Sequence, residues 1–200
     1  MQPYYEDNRS QSIKSFVRDR GIEYLVHFTR IENLDSILRY GIIPRANLYD
    51  YDIMANYNDS QRLDGYEDAN CVSISFPNYK MFFSCRRKQK NSDNRWIILK
   101  LKVDILWKEE CAFCKHNAAS NEITYLDIEK LKSLNALKGM FSEMPSIQGS
   151  ERRVDRGTKP EETTDPQAEV LVFNTIQPED ILEVVCFDIY TKQELKDRYH

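Results

Sequence analysis

The hydrophobic pattern near the start of the chain predicts a strand followed at once by a helix. The segment IEYLVHF at residues 22–28 is rich in aliphatic and aromatic side chains and indicates a buried strand that carries His27. Thr29 and Glu32 have the T-x-x-E spacing of a capping box, and Gly41 supplies a stop signal. The apolar positions between them recur at helical spacing and are Ile31, Leu34, Ile37 and Leu38.

Short apolar runs predict further strands along the rest of the chain. They are CVSISF at 71–76, RWIILKLKV at 95–103, AEVLVF at 168–173 and ILEVVCF at 181–187. A helix is predicted around residues 126–138, and the C-terminal YTKQELKDRYH indicates a polar helix or tail. Because the strands are unevenly spaced and the helices cluster early and in the middle, the pattern favours an α+β fold over regular βαβ winding.

Two polar segments without a hydrophobic period are predicted to be loops. Residues 45–70 contain four tyrosines and one methionine, and a loop of that length inside a compact domain is usually functional or disordered. We therefore expect this segment to cover a site. Residues 149–167, GSERRVDRGTKPEETTDPQ, are charged and contain prolines, so they indicate an exposed loop.

The composition fits one domain, for which we predict residues 1–200 with a core of about residues 20–190. The chain has 200 residues, 41% of them hydrophobic, and a net charge of −4, which gives no overall attraction to nucleic-acid phosphates. The polar N-terminus and the lack of a long apolar window predict neither a secretion signal nor a membrane span, so we expect a cytoplasmic location. Five cysteines, an odd number, do not resemble a secreted disulfide framework.

The segment CAFCKH raises the question of a zinc site, because Cys111, Cys114 and His116 could supply three ligands. A structural zinc site needs a second pair at comparable spacing, and the other cysteines stand singly. We therefore predict buried thiols and no metal. The sequence also lacks the glycine-rich loops G-x-G-x-x-G and G-x-x-x-x-G-K-[ST], so a nucleotide needs another kind of pocket.

Three residues have both a structural and a functional interpretation. His27 could be a core histidine satisfied by a backbone carbonyl, and Arg62 could be a loop arginine paired with Asp59 or Asp64. Glu169 opens a strand that is hydrophobic on both faces, so its carboxylate should be neutralised or paired unless it points into solvent. The residue types alone leave these alternatives open.

Three separated segments occur together in one order along the chain. They are YLVHFTRIENLDSILRYGI at 24–42, with its H-F-T core, NDSQRLDGYEDANCVSISFPNYKMF at 58–82 and DPQAEVLVF at 165–173, with HNAAS at 116–120 between the last two. Together they resemble the DarT-type ADP-ribosyltransferase toxins, which modify nucleic-acid bases using NAD. The resemblance spans about residues 20–190 and implies a single-domain split β-sandwich of the ADP-ribosyltransferase kind, with an NAD cleft and peripheral helices.

The resemblance also implies a role for each matched residue. Glu169 would be the catalytic glutamate and Arg62 the catalytic arginine. The residues that would contact NAD are His27, Phe28, Thr29, Arg62 and Tyr79. The charged loop before the glutamate would read the substrate, through Arg152, Arg153, Arg156 and Lys159.

The chemistry suits these residue types. Loss of nicotinamide leaves positive charge on the ribose carbon, and a nearby carboxylate attracts that charge and can take a proton from an attacking base. An arginine suits a pyrophosphate or the orientation of the acceptor. A base atom is accessible only in an unpaired nucleotide, which favours single-stranded DNA or RNA that stacks on tyrosines such as Tyr49, Tyr51, Tyr57 or Tyr79.

We therefore predict an NAD-dependent mono-ADP-ribosyltransferase that modifies bases in single-stranded DNA or RNA, as the toxin of a bacterial toxin–antitoxin or anti-phage module. The implied partners are NAD, the nucleic acid and a cognate antitoxin, which is either a macrodomain that removes the modification or a protein that occludes the site. The alternatives on the same scaffold are an RNA 2′-phosphotransferase, a protein-directed ADP-ribosyltransferase and a catalytically silent nucleic-acid-binding domain.

Overall fold

The centre of the protein is a six-stranded antiparallel sheet, in which the strands lie in the order 111–114, 169–172, 70–74, 24–30, 96–102 and 181–186. The computed structural model describes residues 3–51, 53–56, 62–88, 95–146, 149–151, 153 and 157–199. The strands are β1 (Tyr24–Arg30), β2 (Asn70–Ile74), β3 (Trp96–Lys102), β4 (Cys111–Cys114), β7 (Glu169–Val172) and β8 (Ile181–Cys186), with a separate hairpin of β5 (Met144–Ser146) and β6 (Gly149–Glu151).

Helices cover the sheet and its ends. The α-helices are α1 (Pro3–Asp19), α2 (Leu34–Tyr40), α3 (Tyr79–Lys88), α4 (Ile105–Lys108), α5 (Asn121–Thr124), α6 (Ile128–Leu131), α7 (Leu134–Gly139) and α8 (Ile189–Tyr199). Short 3₁₀-helices span Ile31–Asn33, Arg45–Tyr51 and Pro178–Asp180. None of the described helices has the length and apolar character needed to cross a bilayer.

The sheet divides between its two middle strands. In the register of β1 and β2, Leu25 pairs with Ile74 and Val26 pairs with Ser73. Beyond this point β1 continues along β3 as far as Arg30, whereas β2 continues along β7. The two strands therefore separate after Val26, and a gap opens between them.

The main hydrophobic core lies between the sheet and several helices, among them α1. Leu25, Leu99 and Phe113 are fully buried, as is Ile13 of α1, which packs against α4 and α7. Each fully buried side chain of this size contributes about 2 kcal/mol relative to an exposed one. The core therefore holds the strands on both sides of the gap.

Gly41 ends α2 at a place where only glycine fits. Its φ of 86° lies in the left-handed region, and a Cβ atom there would overlap the carbonyl oxygen of Ile176. This close approach permits the isolated bridge between Ile42 and Ile176, which joins the end of α2 to the chain after β7. The predicted stop at Gly41 is confirmed.

The predicted strands over 22–28, 71–76, 95–103, 168–173 and 181–187 correspond to β1, β2, β3, β7 and β8, and the C-terminal helix is present as α8. Other elements were not predicted or differ in detail. CAFC forms β4, the region 126–138 holds short helices rather than one, and α1 was not predicted although Ile13 and Val17 are four residues apart on its buried face.

The prediction of a capping box at Thr29 is wrong, because no such cap forms. Thr29 is still in β1 and its hydroxyl accepts a hydrogen bond from the Asn33 side chain at 3.0 Å, so it caps no backbone N–H. Neither the 3₁₀-helix Ile31–Asn33 nor α2 has a side-chain cap. Strand pairing with Ile97 of β3 holds Thr29 in an extended conformation, which overrides the local helix-start signal.

Candidate active site

A large cavity lies where β1 and β2 separate. One wall comes from β1 through His27, Phe28 and Thr29, and the opposite side includes Arg62 and Glu169. The described parts of segment 45–70 also line it, and the lining residues are Arg45, Leu48, Ile53, Ala55, Asn56, Arg62, Leu63, Asp64 and Asn70. The segment that was expected to cover a site therefore does border one.

Glu169 is buried at the first position of β7 and faces this cavity. The backbone N–H of Ala118 donates to its Oε2 at 2.9 Å, and the side-chain amide of Asn78 donates to its Oε1 at 3.4 Å. Burial raises the pKa of Glu169 to about 7, and the two hydrogen bonds offset only part of that effect. The carboxylate therefore points into the cavity, and its protonation changes near neutral pH.

His27 spans the gap between the separated strands. Its Nδ1 lies 2.9 Å from the carbonyl oxygen of Cys71 in β2. Burial lowers the pKa of His27, and the bond to the Cys71 carbonyl offsets part of that effect. The ring is therefore neutral at pH 7, as both the structural and the functional interpretation of His27 allow.

Arg62 borders the cavity but is held by its own loop. It makes a bidentate pair with Asp64, with Nε to Oδ1 at 3.0 Å and Nη2 to Oδ2 at 2.8 Å. Nη1 donates to the Ala69 carbonyl at 2.9 Å and Nη2 to the Tyr66 carbonyl at 2.5 Å. A guanidinium has five N–H groups, so these four bonds leave one N–H of Nη1 for a ligand. The Arg62 side chain therefore stabilises its own loop and also borders the cavity.

Asn33 holds the segment above the cavity in place. Its amide nitrogen donates to the carbonyl of Asn56 at 3.0 Å, and its amide oxygen accepts from the Asn56 N–H at 2.9 Å. The same amide nitrogen donates to the Thr29 hydroxyl. Hydrogen bonds of Asn33 therefore connect β1, the 3₁₀-helix Ile31–Asn33 and residues 53–56. The cavity wall formed by residues 53–56 is thereby fixed to the strand that carries His27.

The aromatic residues predicted to contact NAD occupy different places. Phe28 borders the cavity, and its ring centroid lies 5.0 Å from Phe82 and 6.0 Å from Trp96. Tyr79 is not among the residues that line the cavity and is 48% exposed on the outer side of α3, beside Phe76. Its predicted contact with NAD is therefore not supported by its position.

The loop before Glu169 is less exposed than predicted. Arg153 is buried, and its guanidinium donates to the Thr164 hydroxyl at 2.5 Å and to the carbonyls of Lys159 and Glu162. These contacts hold the Arg153 guanidinium within its own loop, and the expected contact between Arg153 and the substrate stays a prediction. Lys159 remains on the surface, whereas Arg152 and Arg156 lie outside the described residues, as do Asp59 and Tyr57.

The CAFCKH segment forms β4 and the bend that follows it. Cys111 and Cys114 are buried in β4, and burial raises the pKa of each thiol to about 12. The ring of His116 lies between two carboxylates, Asp165 at 2.7 Å and Glu122 at 2.9 Å. Within the part of the chain that the structure describes, no group of three or more metal-binding side chains comes together.

Sequence reasoning missed two groups that set the geometry of the site and left a third undecided. Asn78 and the N–H of Ala118 hold Glu169, and Asp64 holds Arg62. Ala118 lies in the HNAAS segment and Asn78 in the second signature. Neither residue type indicates from sequence that it contacts Glu169. Asp64 was named as a possible partner of Arg62, and the structure selects it.

An antiparallel sheet that splits over a cavity with a buried glutamate fits the class of ADP-ribosyltransferases. The family follows from the sequence. The family model described as "ssDNA thymidine ADP-ribosyltransferase, DarT" matches residues 26–199, and the chain belongs to the DarT family. The predicted family, fold class and enzyme class are confirmed.

Solved structures share the fold at low sequence identity. DarTG of Thermosipho africanus in complex with ADP-ribose has a TM-score of 0.55 and 19% identity over 88% of this chain, which spans 47% of that chain. DarT of Thermus sp. 2.9 gives a TM-score of 0.52 with 13% identity in complex with NAD+, and 0.51 with 14% identity in complex with ADP-ribosylated ssDNA. Both comparisons cover 88% of this chain and 87% of the Thermus chain. None of the curated protein sequences matches the chain.

Proposed function

We propose that the protein transfers ADP-ribose from NAD to a base in single-stranded DNA. The observation that carries the proposal is the buried carboxylate of Glu169 in one cavity with His27 and Arg62. Support for the acceptor comes from the family, whose description names thymidine in single-stranded DNA, and from the Thermus relative in complex with ADP-ribosylated ssDNA. Family membership favours base transfer over the 2′-phosphotransferase interpretation.

In the proposed reaction Glu169 stabilises the developing cation. The bond between the ribose C1′ and nicotinamide breaks, and its electron pair leaves with nicotinamide. An ionised carboxylate about 4 Å from C1′ at an effective dielectric near 20 attracts the positive charge by about 4 kcal/mol, roughly a thousandfold in rate. The low polarity around a buried carboxylate and its fixed donors, Ala118 and Asn78, preorganise this interaction.

Glu169 also serves as the proton acceptor in the proposal. A thymine ring N–H is a poor nucleophile until its proton leaves, so the new bond from the ring nitrogen to C1′ forms as the proton passes to a base. A carboxylate with a pKa of about 7 is well matched to this role near neutral pH. After product release the proton goes to solvent and the carboxylate is restored.

The cavity offers polar groups that fit the two ends of the donor. His27 Nε2 remains an acceptor because Nδ1 faces the Cys71 carbonyl, and it suits a ribose hydroxyl or an adenine amino group. Arg62 keeps one N–H on Nη1 for a pyrophosphate oxygen. Phe28 and the apolar lining residues suit a flat ring.

We further propose that the protein acts as the toxin of a toxin–antitoxin pair, with an antitoxin that either removes the modification or covers the cavity. The resemblance supports this role, and the Thermosipho relative is a DarTG. No disulfide joins the cysteines of the described residues, which suits a reducing compartment such as the cytoplasm. An anti-phage role and RNA as acceptor remain predictions of the sequence.

Mass spectrometry of oligonucleotides tests the transfer. The protein is incubated with NAD and single-stranded DNA or RNA of matched sequence, and the product is examined for the mass of one added ADP-ribose. We expect the DNA to be modified, Glu169→Gln to abolish modification, and the matched control Glu179→Gln, at an exposed position, to retain it. Modification of RNA alone would replace the proposed acceptor, and full activity of Glu169→Gln would refute the mechanism.

A further inference from the structure

The outer face of α3 carries exposed aromatic rings in a row with a basic residue. Phe76, Tyr79 and Phe83 are 53%, 48% and 60% exposed, respectively. Tyr79, Phe83 and Arg87 are spaced by four residues and so lie above one another on one side of the helix. The Arg87 guanidinium lies 5.5 Å from the Phe83 ring centroid, and Phe76 lies 6.4 Å from Tyr79. We call Phe76, Tyr79, Phe83 and Arg87 the α3 stripe.

The charge of α3 is opposite to that of the chain. The helix sequence YKMFFSCRRK contains four basic residues and no acidic residue, whereas the whole chain has a net charge of −4. Arg86 lies over the rings of Phe82 and Phe187, next to the stripe. A polyanion with flat rings therefore finds both a local positive charge and stacking surfaces on this face.

The α3 stripe lies next to a residue that contacts the proposed catalytic carboxylate. Asn78 is buried, its amide oxygen accepts from the Met81 N–H at 3.0 Å at the start of α3, and its amide nitrogen donates to Glu169. Phe76 and Tyr79 flank Asn78 in sequence, and Met81 borders the cavity. The α3 stripe therefore adjoins, in sequence, the residue that holds Glu169.

The backbone before the stripe is unusual. Ser75 has a φ of 58°, and it is the one residue other than glycine with positive φ among those that the structure describes. The Phe76 N–H donates to the Ile74 carbonyl at 2.6 Å, which turns the chain sharply at the end of β2. Strained conformations of this kind are found most often at functional sites. The residue that follows Ser75 in this turn is Phe76, the first exposed ring of the stripe.

We propose that the α3 stripe is the stacking platform for the single-stranded DNA that flanks the target base. This inference rests on the proposed function, and it assigns a DNA-binding surface outside the cavity. The helix from Tyr79 to Arg87 rises about 12 Å, which matches three to four nucleotides at a spacing of about 3.4 Å. Phe83 stacks on a base, and Arg87 contacts a phosphate at the far end of the stripe.

Oligonucleotide binding by the full chain tests this surface. Fluorescence anisotropy measures the affinity of a labelled single-stranded oligonucleotide for Phe83→Ala, Arg87→Ala and the control Tyr125→Ala, an 85% exposed tyrosine outside the stripe. We expect Phe83→Ala to weaken binding about 5- to 150-fold, the usual loss of one stacked base, and Phe83→Trp to restore it. Arg87→Ala should reduce the slope of log affinity against log salt by about 0.7.

Kinetic measurements separate this inference from the proposed function. For Phe83→Ala the KM for the oligonucleotide should rise in parallel with the loss of affinity, while nicotinamide release from NAD without DNA stays unchanged. If the wild type modifies DNA but Phe83→Ala and Arg87→Ala match it in affinity, KM and salt slope, the platform is refuted and the transfer reaction stands. If the wild type modifies no DNA, the proposed function fails. If Phe83→Ala alters sedimentation but not DNA binding, the stripe is a self-association surface instead.

Discussion

The imidazole of His27 joins the two strands that separate at the cavity, with Nδ1 2.9 Å from the carbonyl oxygen of Cys71. A carbonyl oxygen only accepts, so in the neutral ring Nδ1 carries the proton and Nε2 keeps its lone pair. The His27 side chain therefore donates to the Cys71 carbonyl beside the gap, and its Nε2 remains available to accept a hydrogen bond. This relationship reconciles the structural and the functional interpretation of His27.

Replacing His27 should weaken both donor binding and stability. His27→Ala removes the Nε2 acceptor, and we expect the affinity for carba-NAD+ in calorimetry to fall about three- to tenfold, the effect of one hydrogen bond. The Cys71 carbonyl loses its partner, which should lower the free energy of unfolding by about 1–3 kcal/mol. Unchanged affinity with lower stability would show that His27 has only a structural role.

The rate of transfer should rise with pH around neutrality. The mechanism requires ionised Glu169, and burial raises the pKa of this group to about 7. The value of kcat/KM for NAD reports groups in the free enzyme, so its rising limb should have a midpoint near pH 7. A profile that is flat between about pH 5.5 and 8.5 would contradict the assignment of Glu169.

The same carboxylate should make the folded protein less stable as pH rises. Below the ordinary pKa of 4.5 Glu169 is protonated in both the folded and the unfolded chain, whereas up to about pH 7 only the folded chain keeps the proton. The unfolded chain binds fewer protons in this window, so stability falls across it by about 3 kcal/mol in total. Above pH 7 the full penalty is present.

Urea denaturation of Glu169→Gln measures this penalty. The amide is neutral at every pH and keeps one acceptor for the Ala118 N–H, so we expect the variant to exceed the wild type by about 1–3 kcal/mol at pH 8. At pH 4.5 or below the two proteins should be nearly equal. Equal stability at both pH values would mean that Glu169 is better solvated than its burial indicates.

Removing the partner of Arg62 should disturb the loop that borders the cavity. The side chains of Arg62 and Asp64 are only 16% and 7% exposed, and Asp64→Ala leaves the guanidinium without both bidentate bonds. We expect a loss of about 2–4 kcal/mol in the free energy of unfolding and a higher KM for NAD. Asp68→Ala, at an exposed position, is the control and should change neither quantity.

The strands could be predicted because their signals are local, and the residues of the cavity wall because the chain resembles a known family. The apolar runs of β1, β2, β3, β7 and β8 are short and bounded by turns, and the ordered signatures identify His27, Phe28, Thr29, Arg62 and Glu169. All five residues border one cavity, although their strands are far apart in sequence. Whether each contacts NAD or acts in catalysis stays a prediction.

Tertiary context decided the features that sequence reasoning did not find. Thr29 has the spacing of a helix cap, but pairing with β3 keeps it extended. Arg153 occurs in a charged stretch that suggests a surface, yet it satisfies carbonyl and hydroxyl oxygens inside its loop. Asn78 meets Glu169 across 91 positions of sequence, and no periodicity encodes such a contact.

The donor closest to the Glu169 carboxylate is a main-chain amide, that of Ala118. Side-chain scanning by alanine would leave this group untouched, since every residue except proline supplies the same N–H. An important contributor to the acidity of the glutamate would thus escape a mutational survey of the molecule. Chemical synthesis with an ester in place of the amide at position 118 would expose its contribution directly.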